Sequence, residues 1–347
     1  MTERLYYDQT YLREFDAEVE ACERREDGVW LLLDRSAFYP TSGGQPFDTG
    51  RLRWRGGQAR VTDVECDARG VWHKLEGECP ERRTAVHGEI DWARRFDHMQ
   101  QHGGEHMLAG AIWRLYQGRT IGLHLGADVS SIDVALPDGR TRFADEEIAL
   151  LEETVNGWIQ QDAPCRCWFP TEEELKTLPL RKAPSVKEHV RVVAFGDFEM
   201  CACGGTHPST SGQVGLVKFI GWQKFRDGVR LELLCGQRAL AYLALNWEQT
   251  SAVGRSLSVK PGKTAEAVER LLGEVQSLKA RCAAMEEQSF ASLAQEHRGA
   301  GNVLLVQPAM EPDAVRRLCD AVSQSCGGRC AVFAGEDGSY KYAVIHA

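Results

Sequence analysis

Two short segments constrain this chain more than any other feature. His102-Gly103-Gly104-Glu105-His106 lies in a stretch whose apolar positions Phe96, Met99, Met107, Leu108, Ala111, Ile112 and Leu115 recur at three- and four-residue intervals, which predicts a long helix. The two histidines then leave one face a turn apart, a spacing that a zinc ion bridges. Cys203-Gly204-Gly205-Thr206-His207 follows a strand-like apolar run at 191–195. It offers a thiolate and an imidazole, and the paired glycines would let the backbone curl so that both face one ion. Either pair alone is an ordinary feature, a surface pair of histidines or a buried thiol beside a turn. Together they ask for a fold that carries a helix to a distant strand turn. Cys201 competes with Cys203 for the sulfur position because strand residues two apart face the same way, and the four-residue spacing favours Cys203. His98, one turn before His102, is expected beside the ligands or at the surface.

The rest of the composition narrows the class. At 347 residues the chain is long enough for two or three domains. It opens without a basic and apolar leader, and no apolar run approaches the roughly 20 residues that span a bilayer, so a cytoplasmic location is expected. The 12 cysteines are scattered and are expected as reduced thiols or metal ligands rather than disulfides. A net charge of -9 argues against broad adhesion to nucleic acid but leaves room for a local basic groove. Two stretches could supply one, residues 51–60 and 181–191.

Hydrophobic patterning gives an α+β chain in four segments. Residues 1–90 hold short apolar runs between Gly, Asp and Arg turns and read as a small β-barrel. Residues 91–236 contain the long helix, a second helix starting near Asp145 with Ile148, Leu151, Val155 and Trp158 on one face, and strands that include a hairpin around Arg226-Asp227-Gly228. Residues 237–298 read as two helices broken at Pro261-Gly262. Val268, Leu271, Val275, Leu278, Cys282 and Met285 form a short coiled-coil seam on the second of them. This pair either folds back as a helical hairpin or joins a second chain. Residues 299–347 alternate strand, helix, strand and strand, a small C-terminal α/β unit.

The motifs resemble a known family. HGGEH and CGGTH, with FYPTSGGQPFDTG at 38–50, IDWARR, GLHLGADVSSID and SGQVGLVKF, are similar to the editing domain of alanyl-tRNA synthetases and to the free-standing AlaX editing proteins, over roughly residues 1–240. The last two segments resemble the C-terminal part of longer AlaX forms. The resemblance implies a translation-protein-like barrel at 1–90, a zinc-binding editing domain at 91–236 and Zn2+ held by His102, His106, Cys203 and His207. It implies hydrolysis of the ester joining serine, or glycine, to tRNA(Ala). No ATP-binding or aminoacylation motif is present, so synthetase activity is not expected, and the helical hairpin with the C-terminal unit is a candidate homodimer contact. Glu105 and Cys203 would stand at the chemistry, Glu105 as general base. Thr41 and Ser42 would bind the serine hydroxyl, Gly43 and Gly44 would allow close approach, Gln45 would offer its amide, and His124 would line the pocket. The paired glycines in HGGEH depart from the H-T-x-x-H form usual in the family. Two rival readings remain: a peptidase of H-x-x-E-H type with a third ligand among Glu172 to Glu174, and a non-catalytic RNA-binding protein that zinc merely stabilises.

Overall fold

The computed structural model of the chain describes every residue except 185, 337 and 347. One position of the basic 181–191 stretch and two of the C-terminal segment therefore lie outside the described residues. The chain divides into two compact units, Met1–Leu245 and Asn246–Ala347, a coarser division than the four segments.

The first unit opens with a closed six-stranded barrel made of β1 (Glu14–Arg25), β2 (Gly28–Leu33), β3 (Gly50–Trp54), β4 (Gly57–Cys66), β5 (Val71–Gly77) and β6 (Ala85–Ile90). Its strand order is β1-β2-β5-β4-β3-β6. Alternation explains it: along β1, Phe15, Ala17 and Val19 are buried and the residues between them exposed. They pack with Leu31, Leu33, Phe38, Leu52, Val61 and Val71. The expectation of reduced cysteines fails at one pair, because Cys22 and Cys79 are disulfide-bonded. Their separation of 57 residues left no local signal. The other ten cysteines are free.

His73 is one of the buried polar residues of the barrel. Its Nδ1 donates to the Leu31 carbonyl at 3.1 Å and its Nε2 accepts from the Ser36 hydroxyl at 2.7 Å. Burial pushes it down to about 4, so the folded protein holds the ring neutral. The unfolded chain, at about 6.5, takes up a proton first as pH falls. His73 therefore costs no stability above pH 6.5, and stability drops progressively between pH 6.5 and 4, by about 3 kcal/mol in all. Urea denaturation across that window should show wild type losing stability faster than His73→Gln; parallel curves would contradict this.

From the barrel the chain enters α1 (Trp92–Tyr116), where the Asp91 side chain accepts from the Arg94 amide. The helix is buried along most of its length. Arg95, fully buried, donates to the equally buried Asp48 carboxylate at 3.0 and 2.9 Å and to the Thr10 and Ala37 carbonyls. Asp48 also accepts from the Tyr39 amide at 2.6 Å, so a buried ion pair docks the helix on the barrel.

Gly103 and Gly104, costly in a helix by propensity at roughly 1 kcal/mol each, have a packing reason. A Cβ at 104 would lie 2.3 Å from Cys235 Sγ, and one at 103 would lie 2.9 Å from a Val214 methyl. The helix thus presses against β12 (Val217–Phe225) and β13 (Gly228–Cys235). These pair with β7 (Arg119–Leu125) and β8 (Ser130–Ala135) in the order β12-β13-β8-β7. Helix α2 (Asp145–Gln160) adds Ile148, Leu151, Val155 and Ile159 to the same core. Its N-terminal cap is at Ala144, whose amide donates to the Glu147 carboxylate. A three-stranded sheet, β9 (Cys165–Trp168), β10 (Val192–Phe195) and β11 (Glu199–Ala202), completes the layer. Between β9 and β10 lies the short α3 (Glu172–Thr177).

Helix α4 (Gly236–Ser256) carries the chain into the second unit. There α5 (Thr264–Glu296) packs Phe290 and Ala294 with Leu318 and Val322 of α6 (Pro312–Cys326). The sheet beneath is β14 (Gly301–Gln307), β15 (Gly327–Glu336) and β16 (Ser339–His346), parallel and then antiparallel. Strand, helix, strand and strand follow as the patterning predicts. The seam residues Leu271, Leu278 and Met285 are exposed. Among the described residues no helix is long and apolar enough to cross a membrane.

Candidate metal centre

Helix α1 delivers His102 and His106 to one spot, and the turn after β11 delivers Cys203 and His207 to the same spot. The ligand atoms of these four side chains all lie within 4.8 Å of one another. The imidazole centroids are 4.9 Å apart for His102–His106, 4.4 Å for His102–His207 and 4.6 Å for His106–His207, and Cys203 Sγ is 3.5 Å from His102 Nε2. Tetrahedral zinc with bonds of about 2.0–2.3 Å sets its donors roughly 3.3–3.8 Å apart, so small side-chain adjustments close the set.

The donor chemistry fits a cation. Both ring nitrogens of His207 are buried and have no hydrogen-bond partner among the described residues, a costly arrangement unless something else occupies the lone pair. Burial pushes His102 down to about 3, and His106 and His207 well below their ordinary value. Three neutral imidazoles result. Burial likewise pushes the Cys203 thiol up to about 12, a penalty on its charge that a divalent ion reverses.

The positioning is specific. Gln45 Oε1 is 2.9 Å from His102 Nδ1 and accepts a hydrogen bond from it, which leaves the Nε2 lone pair free on the side of Cys203. The same oxygen accepts from the Thr206 amide at 3.0 Å, and Gln45 Nε2 donates to Thr206 Oγ1 at 2.7 Å. One barrel side chain therefore fixes both the helix ligand and the turn. Arg191, also buried, donates to the Cys203 and Gly205 carbonyls at 3.2 and 2.8 Å. Neither Gly204 nor Gly205 adopts a left-handed φ, so the expected curling of the backbone is not why they are glycines. Space explains Gly205, where a Cβ would lie 2.1 Å from His102 Cε1.

A cavity of about 220 Å3 opens on the cluster. His102, His106, Cys203, Glu105 and Gly43 line it, with Thr120, Leu123, Arg181 and Lys182. Glu105 is buried, and burial, reinforced by Glu199, pushes its carboxyl up to about 7 against the pull of Arg181 and Lys182. Glu199 holds Arg181 by two contacts of 2.8 and 2.9 Å. Cys201 lies 3.4 Å from His106 Nδ1, in a second group with His106 and Glu199 rather than with the quartet.

Other expected residues are placed differently. Ser42 and Gln45 exchange backbone hydrogen bonds of 3.1 and 2.9 Å across Gly43 and Gly44, whose φ of 58 and 86° form a tight two-residue hairpin turn. Gly43 alone of the 41–45 segment reaches the cavity. Thr41 and Ser42 are exposed, and Gln45 is buried with its amide committed to His102 and Thr206 rather than free for substrate. His124 is exposed on β7, where its neighbour Leu123 lines the cavity. His98 is buried and outside the quartet. Glu172 to Glu174, the peptidase alternative, sit exposed on α3, with Glu174 accepting from the Thr171 amide. Of the basic stretch 181–191, Arg181 and Lys182 reach the cavity, whereas Arg191 is buried behind the turn. Thr120 carried no sequence signal, because only the fold of β7 brings it here, and Leu123 was marked only by its place in the GLHLG motif.

Residues 2–94 match the family described as tRNA synthetases class II (A), and residues 190–231 match the threonyl and alanyl tRNA synthetase second additional domain. The chain belongs to the family of alanyl-tRNA synthetases and alanyl-tRNA editing proteins. It is 35% identical over 282 residues to the alanine–tRNA ligase of Pyrococcus furiosus, covering 79% of this chain and 30% of that one. It is 34% identical over 277 residues to the alanyl-tRNA editing protein AlaX-L of Pyrococcus horikoshii, covering 78% of this chain and 66% of that protein. To the alanine–tRNA ligase of Pyrobaculum neutrophilum it is 33% identical over 306 residues, 85% of this chain and 34% of the relative. The chain thus spans about a third of the length of the ligases it matches.

Proposed function

We propose that this protein is a zinc-dependent deacylase that removes serine, or glycine, wrongly esterified to tRNA(Ala). The observation that carries the reading is the convergence of His102, His106, Cys203 and His207 at a cavity that Glu105 also lines. The likeness to an alanyl-tRNA editing protein supplies the substrate class. Because three of the four ligands face this cavity, a substrate has access to the centre, which favours catalysis over a purely structural metal. A zinc ion held there, with three neutral imidazoles and one thiolate, would keep a net charge near +1 to attract and polarise the ester.

The chain's own residues do the remainder. Gln45 holds His102 in the tautomer that offers Nε2. Glu105 accepts the proton of the attacking water and returns it to the departing ribose oxygen. Gly43 lines the cavity, and the serine hydroxyl is assigned to Thr41 and Ser42, which precede it in the chain. A group built to meet that hydroxyl is left unpaired by alanine, which is how a polar site rejects the smaller residue. The reaction takes place in the cytoplasm.

The test is deacylation of Ser-, Gly- and Ala-tRNA(Ala). Wild type is expected to hydrolyse the seryl ester at least about a hundred-fold faster than the alanyl ester, and Cys203→Ala to lose that activity. Equal turnover by wild type and Cys203→Ala would remove the mechanism.

A further inference from the structure

Cys22 and Cys79 are joined in a chain whose other ten cysteines are free, Cys66 and Cys282 among them at the surface. A chain with that many reduced thiols, two of them open to solvent, is suited to reducing surroundings. There a lasting disulfide is rare, and those that form are transient or redox-sensing. Cys22 is itself exposed on β1, so the bond is open to an external thiol. Exposed disulfides are the labile ones, whereas structural disulfides resist the glutathione pool.

What the bond holds is local. It ties β1 to the connection at 78–84 between β5 and β6, and β2 lies between β1 and β5 in the barrel, so no ladder joins those two strands. The far end of the connection has a second tether. The Arg83 amide donates to the Val19 carbonyl at 2.8 Å and the Val19 amide to the Thr84 carbonyl at 3.1 Å, just before β6 begins to pair with β1. Arg83 adopts a φ of 67°, a left-handed conformation that a residue other than glycine keeps only where its surroundings impose it. Pro80 is the one buried residue of 78–84, and Glu81, Arg82 and Arg83 are exposed. Arg82 and Arg83 also line a cavity of about 490 Å3 on the barrel, together with Glu18, Ala21, Leu32 and Arg69.

We propose that the Cys22–Cys79 bond is a reversible clasp, opened by small thiols and closed by small disulfides, whose opening frees residues 79–82 from β1 while the barrel stays folded. The thiolate of one small thiol attacks the Cys22 sulfur, which forms a mixed disulfide and releases Cys79 as its thiolate. A second small thiol then displaces Cys22. Two external thiols become one external disulfide, and their two electrons and two protons pass to Cys22 and Cys79. Closure is the same exchange run backwards. The pairing of β6 with β1 and the contacts of Val19 with Arg83 and Thr84 need no disulfide, so the change is confined to the clasped segment and to the cavity wall that Arg82 and Arg83 supply. The clasp lies outside the deacylase reading and stands or falls separately from it.

The test places the full chain in buffers of reduced and oxidised glutathione and follows it by alkylation with mass spectrometry and by limited trypsin digestion. Cys22 and Cys79 are expected to become alkylated together as the buffer turns reducing, and to be protected again when oxidised glutathione is restored. Cleavage after Arg82 or Arg83 should be about ten-fold faster or more in the reduced protein, as expected of a locally opened segment. Cleavage after Arg55, in the exposed turn between β3 and β4, should be the same in both states. Cys79→Ser should be cut after Arg82 at the fast rate in every buffer. The comparison of reduced with oxidised wild type decides the matter if that variant does not fold. A bond that stays closed in every buffer, thiols that never pair, or reduction that speeds cleavage after Arg55 as much as after Arg82 would overturn the proposal.

Discussion

Replacing Asp48 by alanine is expected to destabilise the first unit by about 3–5 kcal/mol, the cost of leaving a buried charge without its partner. Asp48 and Arg95 are both fully buried. Without the carboxylate, the guanidinium keeps only the Thr10 and Ala37 carbonyls, and the Tyr39 amide loses its acceptor. The effect reaches the candidate site because Arg95 and His102 share α1, and Gln45 meets His102 from the barrel side. Loosening the barrel on the helix separates those two groups. Urea denaturation measures the loss, and the exposed pair of Arg35 with Glu3 is the contrast: Arg35→Ala should cost less than about 1 kcal/mol. Similar small losses for both variants would show that the buried pair does not hold the two layers together.

Gly205→Ala is expected to lower metal affinity about a hundred-fold, with Gly204→Ala close to wild type. A Cβ at 205 would lie 2.1 Å from His102 Cε1, 2.5 Å from its Nδ1 and 2.9 Å from Gln45 Oε1. Either the imidazole or the turn must move, and both carry ligands. Disturbing the groups that orient a metal ligand commonly costs 10–100-fold in affinity, and here the ligand itself is displaced. A Cβ at 204 meets nothing nearer than the Tyr7 hydroxyl at 3.6 Å, ordinary contact. Zinc titration against a competing chelator separates the pair. Equal affinities would mean that the turn is held by something other than the fit of His102 against Gly205.

The comparison of these two glycines shows what sequence reasoning reaches. The spacing of His102 and His106, and its echo in Cys203 and His207, is a local pattern, and it singled out the four side chains that the fold gathers. The alternation along β1 and the three- and four-residue periodicity of α1 are likewise local, so barrel and helix were legible. Why Gly205 is glycine was not, since the reason is an imidazole from residue 102 and not its own backbone. Gln45 lay in a recognisable motif, yet which way its amide points depends on Thr206 and His102, far away in sequence. The Gly103-Gly104 pair looked like a helix weakness until Cys235 and Val214 were placed against it. Thr120 became part of the cavity only through strand pairing, as Cys22 found Cys79 only through the barrel.

The most direct measurement is X-ray absorption at the zinc edge on purified protein, with metal content determined on the same sample. The arrangement of His102, His106, Cys203 and His207 predicts one zinc per chain, with one sulfur at about 2.3 Å and nitrogen scatterers at about 2.0–2.1 Å. The sulfur should vanish in Cys203→Ala and persist in Cys201→Ala. A metal shell without sulfur, or one whose sulfur survives Cys203→Ala, would contradict the account.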